Sequence, residues 1–201
     1  MKKLLSFALA LGSAAAMADA EVGKKAPAFA VTSAKGEKVS LDKLPKGWIV
    51  LEWYNSECPY VRKHYDAPKK NMQAIQSKYN AQGVTWVTVL SSAKGKEGYL
   101  APAAALKQIT ETEGASPSNI LMDSNGKMGR AYGAKTTPHM FIINPEGNIA
   151  YAGAIDDNDS ANPAVIDGSH NFVAAALDSG LKKETIKVTS HKPYGCGVKY
   201  N

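Results

Sequence analysis

The sequence predicts an α/β fold, a sheet covered on both faces by helices, and three observations predict it. Residues 48–54 (WIVLEWY) and 84–90 (VTWVTVL) are near-continuous apolar runs rich in β-branched and aromatic side chains, as expected of strands buried on both faces. Between them Val61, Tyr65, Met72, Ile75 and Tyr79 recur at helical spacing. After residue 45 the elements read β-α-β-α-β-α-β-β-α, the alternation of a layered α/β sheet.

Each element has its local reason. Residues 27–41 read as an N-terminal β-hairpin, with residues 28–31 and 38–41 flanking a turn at 34–37 (AKGE). The helical segment after residue 58 stops at Gly83, and Pro68 inside it imposes a kink or a second start. Residues 91–98 are a loop, and residues 102–112 an alanine-rich helix opened by proline. Residues 119–122 are a short strand, 123–126 a turn, and 127–132 a short helix ended by Gly133. Residues 139–144 and 148–153 form a hairpin over Pro145, Glu146 and Gly147. Residues 156–169 are polar and irregular, a surface loop, and residues 172–177 a helix closed by Ser179 and Gly180.

The first 20 residues are expected not to belong to the fold. A basic start (Met1, Lys2, Lys3), an apolar run over residues 4–16 and the small-x-small end Ala18-Asp19-Ala20 have the form of a secretory leader. Cleavage is expected near Ala20-Glu21, giving a periplasmic or secreted domain over residues 21–201 with a C-terminal tail from about residue 181. That leaves about 180 residues, enough for one domain with a sizeable core. The net charge of +6 is spread over short lysine pairs such as Lys24-Lys25, Lys69-Lys70 and Lys182-Lys183. No basic block or aromatic-basic stripe points to nucleic acid, and no further apolar run is long enough to span a membrane.

Two cysteines remain, Cys58 and Cys196, in a compartment where disulfides persist. Cys58 follows a strand and a short loop and stands where a helix begins, with Pro59 suited to the first helical turn. The free N–H groups of that turn and the macrodipole favour an anion, a thiolate included. Arg62, one turn on, is expected to add positive potential. Cys58 is therefore the candidate nucleophile. Cys196 lies between Gly195 and Gly197 in what reads as a flexible tail. Two readings stay open for it: a resolving cysteine on a mobile arm, or one half of a static brace or chain-to-chain link.

The segment WIVLEWYNSECPYV resembles the active-site segment of the thioredoxin-like redoxins, which include thiol-disulfide oxidoreductases and alkyl hydroperoxide reductase/thiol-specific antioxidant proteins. YGAKTTPHMFIINPEGNIAYAG is similar to their later segment, and GAIDDN and YGCGVKY resemble a single-cysteine Cys-Pro-x-Val subgroup with a C-terminal Gly-Cys motif. The resemblance covers about residues 24–200. It implies a thioredoxin-like fold with a central mixed sheet, Cys58 as the reactive sulfur, and a Thr137–cis-Pro138 pair against it. It also implies a thiol, disulfide or peroxide substrate, an external thiol reductant and no cofactor. Two departures stand out. Val61 occupies the place of the second cysteine of a Cys-x-x-Cys motif. Leu51 and Asn55 occupy the places of the peroxiredoxin proline and threonine or serine, so the peroxide-polarising hydroxyl is absent.

Asn55, Pro59, Tyr60 and Arg62 are the expected substrate-binding residues, with Lys135 at the cleft. Glu52 is expected either to accept the thiol proton or to pair with a lysine. His64 falls on the far face of the helix from Cys58, and His139 reads as an exposed strand-end residue. Asp156, Asp157 and Asn158 lack the spacing of a calcium loop. The expected function is a thiol-based oxidoreductase. The alternatives are a copper-binding module and a non-enzymatic module with a structural Cys58–Cys196 disulfide.

Overall fold

The computed structural model describes residues 20–66 and 68–201. The expected leader, apart from Ala20, lies outside the described residues.

The two apolar runs become the centre of a five-stranded sheet. Strands β1 (Ala30–Thr32) and β2 (Lys38–Ser40) pair as the N-terminal hairpin. Strand β3 (Ile49–Trp53) is central and buried throughout, parallel to β4 (Thr85–Leu90) on one side. Beyond β4 lies β5 (Asn119–Met122), also parallel. On the other side β3 pairs antiparallel with β7 (His139–Ile143), which pairs antiparallel with β8 (Ile149–Gly153). The order β5-β4-β3-β7-β8 is mixed, as the resemblance implied.

Alternation along β3 divides the core. Ile49, Leu51 and Trp53 face one layer, built from the hairpin and α4 (Lys127–Tyr132) and holding Phe29, Val39, Met128 and Tyr132. Trp53, Tyr132 and Phe141 pack there with centroids 5.2–5.5 Å apart. Val50 and Tyr54 face the other layer, which α1 (Pro59–Tyr65), α2 (Asn71–Asn80), α3 (Pro102–Leu106) and α5 (Phe172–Leu181) cover. Cys58 belongs to this second layer.

Both sheet edges are protected, which limits pairing with other chains. The hairpin docks on β5, with Ala34 N–H donating to Ile120 O at 2.8 Å. On β8, Gly23 N–H donates to Ile149 O and Ala152 N–H to Thr189 O, at 2.8 and 3.1 Å.

Some expectations change. The predicted helix after residue 58 is two helices; Pro68 lies in the break, and α2 starts after Lys70, held at φ 44°. The helix expected over residues 102–112 keeps its span but is wound as a π-helix over Lys107–Thr112. That winding aligns residues five apart, and Gln108 Nε2 donates to Glu113 Oε1 at 3.1 Å. Helix α5 does not close at Ser179-Gly180 but runs through them to Leu181. Gly180 is there for packing: a Cβ on it would lie 2.4 Å from the Trp48 ring. Within 156–169, a 3-10 turn spans Pro163–Gly168, and Asp156 is buried rather than on a surface loop. No described helix is long and apolar enough to cross a membrane.

Candidate active site

Strand β3 delivers the chain to Asn55, whose carbonyl accepts from Cys58 N–H at 3.1 Å and closes the turn into α1. Cys58 is the N-cap residue and Pro59 the first helical residue, as the sequence predicts. The Cys58 sulfur is fully buried. Its thiol donates to Thr137 O at 3.0 Å, and the Thr137–Pro138 bond is cis.

Cys196 stands beside it. The Cys196 backbone N–H points at Cys58 Sγ from 3.4 Å, a donor that stabilises negative charge on that sulfur. The tail forms a short strand, β9 (Cys196–Gly197), antiparallel to β6 (Thr136–Thr137), with Thr137 opposite Cys196. Thr137 Oγ1 donates to Cys196 O at 3.4 Å. Gly195 allows this approach: its φ is 127°, and a Cβ there would lie 2.1 Å from Thr137 O. Both cysteines are free thiols. Burial, then the hydrogen bond and charge of Cys58, push the Cys196 thiol up to about 12. Cys196 therefore holds its proton while Cys58 is its reduced neighbour.

The tail is not the flexible arm the glycines suggest. Lys199 O accepts from Ala93 N–H at 2.9 Å, and Val198 N–H donates to Lys135 O at 3.0 Å. Tyr200 donates to Ala134 O at 2.8 Å and lies under the Arg130 guanidinium at 4.6 Å. Nearer the sulfur, Tyr194 packs on Tyr60 at 5.8 Å between centroids. This strap lies over Cys58.

The expected site residues separate into two groups. Cys58, Thr137, Pro138 and Cys196 converge. Asn55 is buried against Gly98; its Oδ1 accepts from Glu57 N–H at 2.8 Å, and its Nδ2 has no partner among the described residues. Tyr60 touches the strap, whereas Pro59 and Lys135 are exposed. Arg62 does not serve the sulfur: its side chain is 60% exposed and pairs with Asp66 at 3.1 Å. His139 is buried, correcting its reading as an exposed residue. Its Nδ1 accepts from Lys135 N–H at 3.2 Å, and burial, then the Lys135 charge, hold it down to about 3.

Among the described residues Glu52 meets no lysine, contrary to one of its two expected roles. It is fully buried; Oε1 accepts from the Tyr65 hydroxyl at 2.6 Å, and Oε2 from Trp86 Nε1 and Gln76 Nε2 at 2.8 and 3.2 Å. Burial outweighs these three bonds and raises the carboxyl to about 7.

A second polar cluster was not foreseen. Lys63, completely buried on α1, donates to Asp156 Oδ1, Asn158 O and the Tyr194 hydroxyl at 3.2, 2.6 and 3.2 Å. Tyr194 donates to Asp156. His64 Nε2 lies 3.2 Å from the Tyr194 oxygen, and Asn71 Nδ2 lies 2.9 Å from His64 Nδ1. With Asn71 donating, His64 carries its proton on Nε2. Burial, against the opposing pull of Asp156, lowers it to about 4. Nothing in the spacing of Lys63 marked it as interior.

Among the described residues no three His, Cys, Asp or Glu side chains group as a metal site. A groove of about 700 Å³ lies by the hairpin and α4 (Phe29, Lys38, Asp42, Met128), on the sheet face away from Cys58.

Residues 22–152 match the AhpC/TSA family. Among solved structures, a hypothetical protein from Sinorhizobium meliloti 1021 is similar at TM-score 0.74 and 22% identity, over 92% of this chain and 97% of that one. An uncharacterized conserved protein from Geobacillus kaustophilus is similar at TM-score 0.73 and 25% identity, over 90% and 93%. A putative thiol:disulfide interchange protein from Chlorobium tepidum is similar at TM-score 0.53 and 26% identity, over 67% and 85%. The comparison with curated proteins finds no match.

Proposed function

The chain belongs to the AhpC/TSA family of thioredoxin-like redoxins, and from that premise we propose that it is a thiol-disulfide oxidoreductase whose working couple is Cys58 and Cys196. The observation that carries this reading is the Cys196 N–H on Cys58 Sγ at 3.4 Å, with the two thiols side by side. The similarity to a putative thiol:disulfide interchange protein supports it. The leader pattern of residues 1–20 supports an exported protein, periplasmic or secreted, where disulfide chemistry operates.

The Cys58 thiolate attacks a substrate disulfide, RSSR′; a Cys58–SR bond forms and R′S⁻ leaves to take up a proton. Cys196 then gives its proton to the departing RS⁻ as its sulfur bonds to Cys58. The substrate has gained two electrons as RSH and R′SH, and the protein carries a Cys58–Cys196 disulfide. An external dithiol returns the two electrons. The strap covers Cys58, so it has to lift for a bulky disulfide to enter.

A peroxide is the second reading. The observation that favours it is Asn55 Nδ2, a buried donor without a partner among the described residues, in the place of the peroxiredoxin hydroxyl. Cys58 would then become a sulfenic acid, ROH would leave, and condensation with Cys196 would release water. Stopped-flow mixing of the reduced protein with an oxidised peptide and, separately, with hydrogen peroxide distinguishes the two. The account expects the peptide to oxidise Cys58 faster, and Cys58→Ser to abolish both reactions. Full activity of Cys58→Ser rejects the reading.

A further inference from the structure

We propose that Tyr194 is a positioning residue for the resolving step, latching the strap that carries Cys196 to the helix that carries Cys58. The inference rests on the Cys58–Cys196 couple proposed above.

The strap is held at several points, but they tie it to different parts of the molecule. Thr189 and His191 hold to Ala152 of β8. Val198, Lys199 and Tyr200 hold to Lys135, Ala93 and Ala134. Tyr194 ties it to α1 itself, through Lys63 and His64 at 3.2 Å each and through the ring of Tyr60. Helix α1 begins at Cys58. The hydroxyl is thus anchored on the same rigid element as the reactive sulfur, two residues before Cys196.

Little slack lies between the latch and the sulfur. Gly195 sits against Thr137 O, and Cys196 is in strand register with Thr137. Displacing Tyr194 therefore displaces the Cys196 sulfur, and S–S bond formation depends steeply on the separation and direction of the two side chains. The latch is also costly to leave incomplete. Lys63 and Asp156 are buried charges, and each uses the Tyr194 hydroxyl as a partner. A strap fastened only for packing would need no hydroxyl there.

In the resolving step, with oxidised glutathione as the probe, Cys58 first carries glutathione as a mixed disulfide. Cys196 sulfur then bonds to Cys58 sulfur, and glutathione leaves as its thiol with the Cys196 proton. Tyr194 touches neither sulfur, so its effect appears as the rate of this second step.

The test is acid-quenched mass spectrometry of the reduced protein mixed with oxidised glutathione. It follows formation of the Cys58 adduct and its collapse to the Cys58–Cys196 disulfide. Tyr194→Phe keeps the ring on Tyr60 and removes the hydroxyl. Losing a hydrogen bond to charged groups sets the expected scale, a collapse rate lower by about tenfold, with adduct formation unchanged or faster. In a Cys196→Ser background, which has no resolving step, Tyr194→Phe should likewise leave adduct formation unchanged or faster. Collapse within about twofold of wild type, an amount below one lost hydrogen bond, overturns the proposal. So does adduct formation that falls in parallel, because that marks a general structural role. Absence of the Cys58–Cys196 disulfide in the wild-type protein instead overturns the underlying couple.

Discussion

Helix α1 sends Lys63 and His64 into one buried polar cluster and Tyr65 into another, and the two clusters handle charge differently. In the first a lysine faces an aspartate, and the tyrosine of the strap binds both. In the second a carboxyl meets neutral donors, Tyr65, Trp86 and Gln76, and burial pushes it to about 7. The first cluster ties a remote segment of chain to the helix that begins at Cys58. The second packs α1 and α2 onto β3 and β4. Buried polarity therefore has two uses here: a paired charge fixes where the strap lies, and an unpaired carboxyl makes stability respond to pH.

The largest effect is expected at Lys63. Replacing it with Met leaves Asp156 buried without its cation, and the expected loss in urea unfolding is about 3–5 kcal/mol. A loss below about 1 kcal/mol, the level of an exposed pair, would mean that Asp156 is not held as a buried charge.

Glu52 sharpens the other side. Its folded pKa, about 7, lies above its unfolded value of 4.5. Its contribution is therefore fully present below pH 4.5 and is lost as pH rises through about 7. Glu52→Gln has no such loss, so the stability difference, variant minus wild type, should rise between pH 4.5 and 7.5 by roughly 2–3 kcal/mol. Denaturant midpoints at four pH values measure it, and a flat difference contradicts the raised carboxyl.

The buried histidines have the opposite sign. His64 and His139 fall to about 4 and about 3, below the ordinary 6.5. Their contribution is present above pH 6.5 and is lost as pH falls through those values. Between pH 6.5 and 5, each should cost the protein on the order of 1–2 kcal/mol. His139→Gln should remove its share of that acid loss, and an unaltered acid slope would show that His139 is protonated without penalty. The smallest effect is expected at Arg62→Ala, which removes an exposed i,i+4 pair with Asp66. It should change stability by less than about 0.5 kcal/mol.

The sheet was legible because its central strands announce themselves: WIVLEWY and VTWVTVL are apolar on both faces and became β3 and β4. The cysteine-proline and threonine-proline pairs were legible as local motifs, and they meet as the resemblance implied. The docked strap was not. Residues 189–201 form few regular elements, and their contacts run to Ala152, Lys63, Thr137, Lys135 and Ala93, far away in sequence. The glycines around Cys196 signal freedom in an isolated chain, but here they allow close approach, as Gly180 does for Trp48. Burial of Lys63 and His139 was equally hidden, because it depends on partners supplied by residues 156, 158 and 194 in one case and 135 in the other.

The proposed redox couple joins Cys58 to Cys196. Its most direct test is peptide mapping of the reduced protein after one equivalent of a disulfide oxidant and an acid quench. The expected result is a linked pair of peptides joining Cys58 to Cys196, with no lasting adduct on either. A Cys58 adduct that persists while Cys196 stays a free thiol would contradict it.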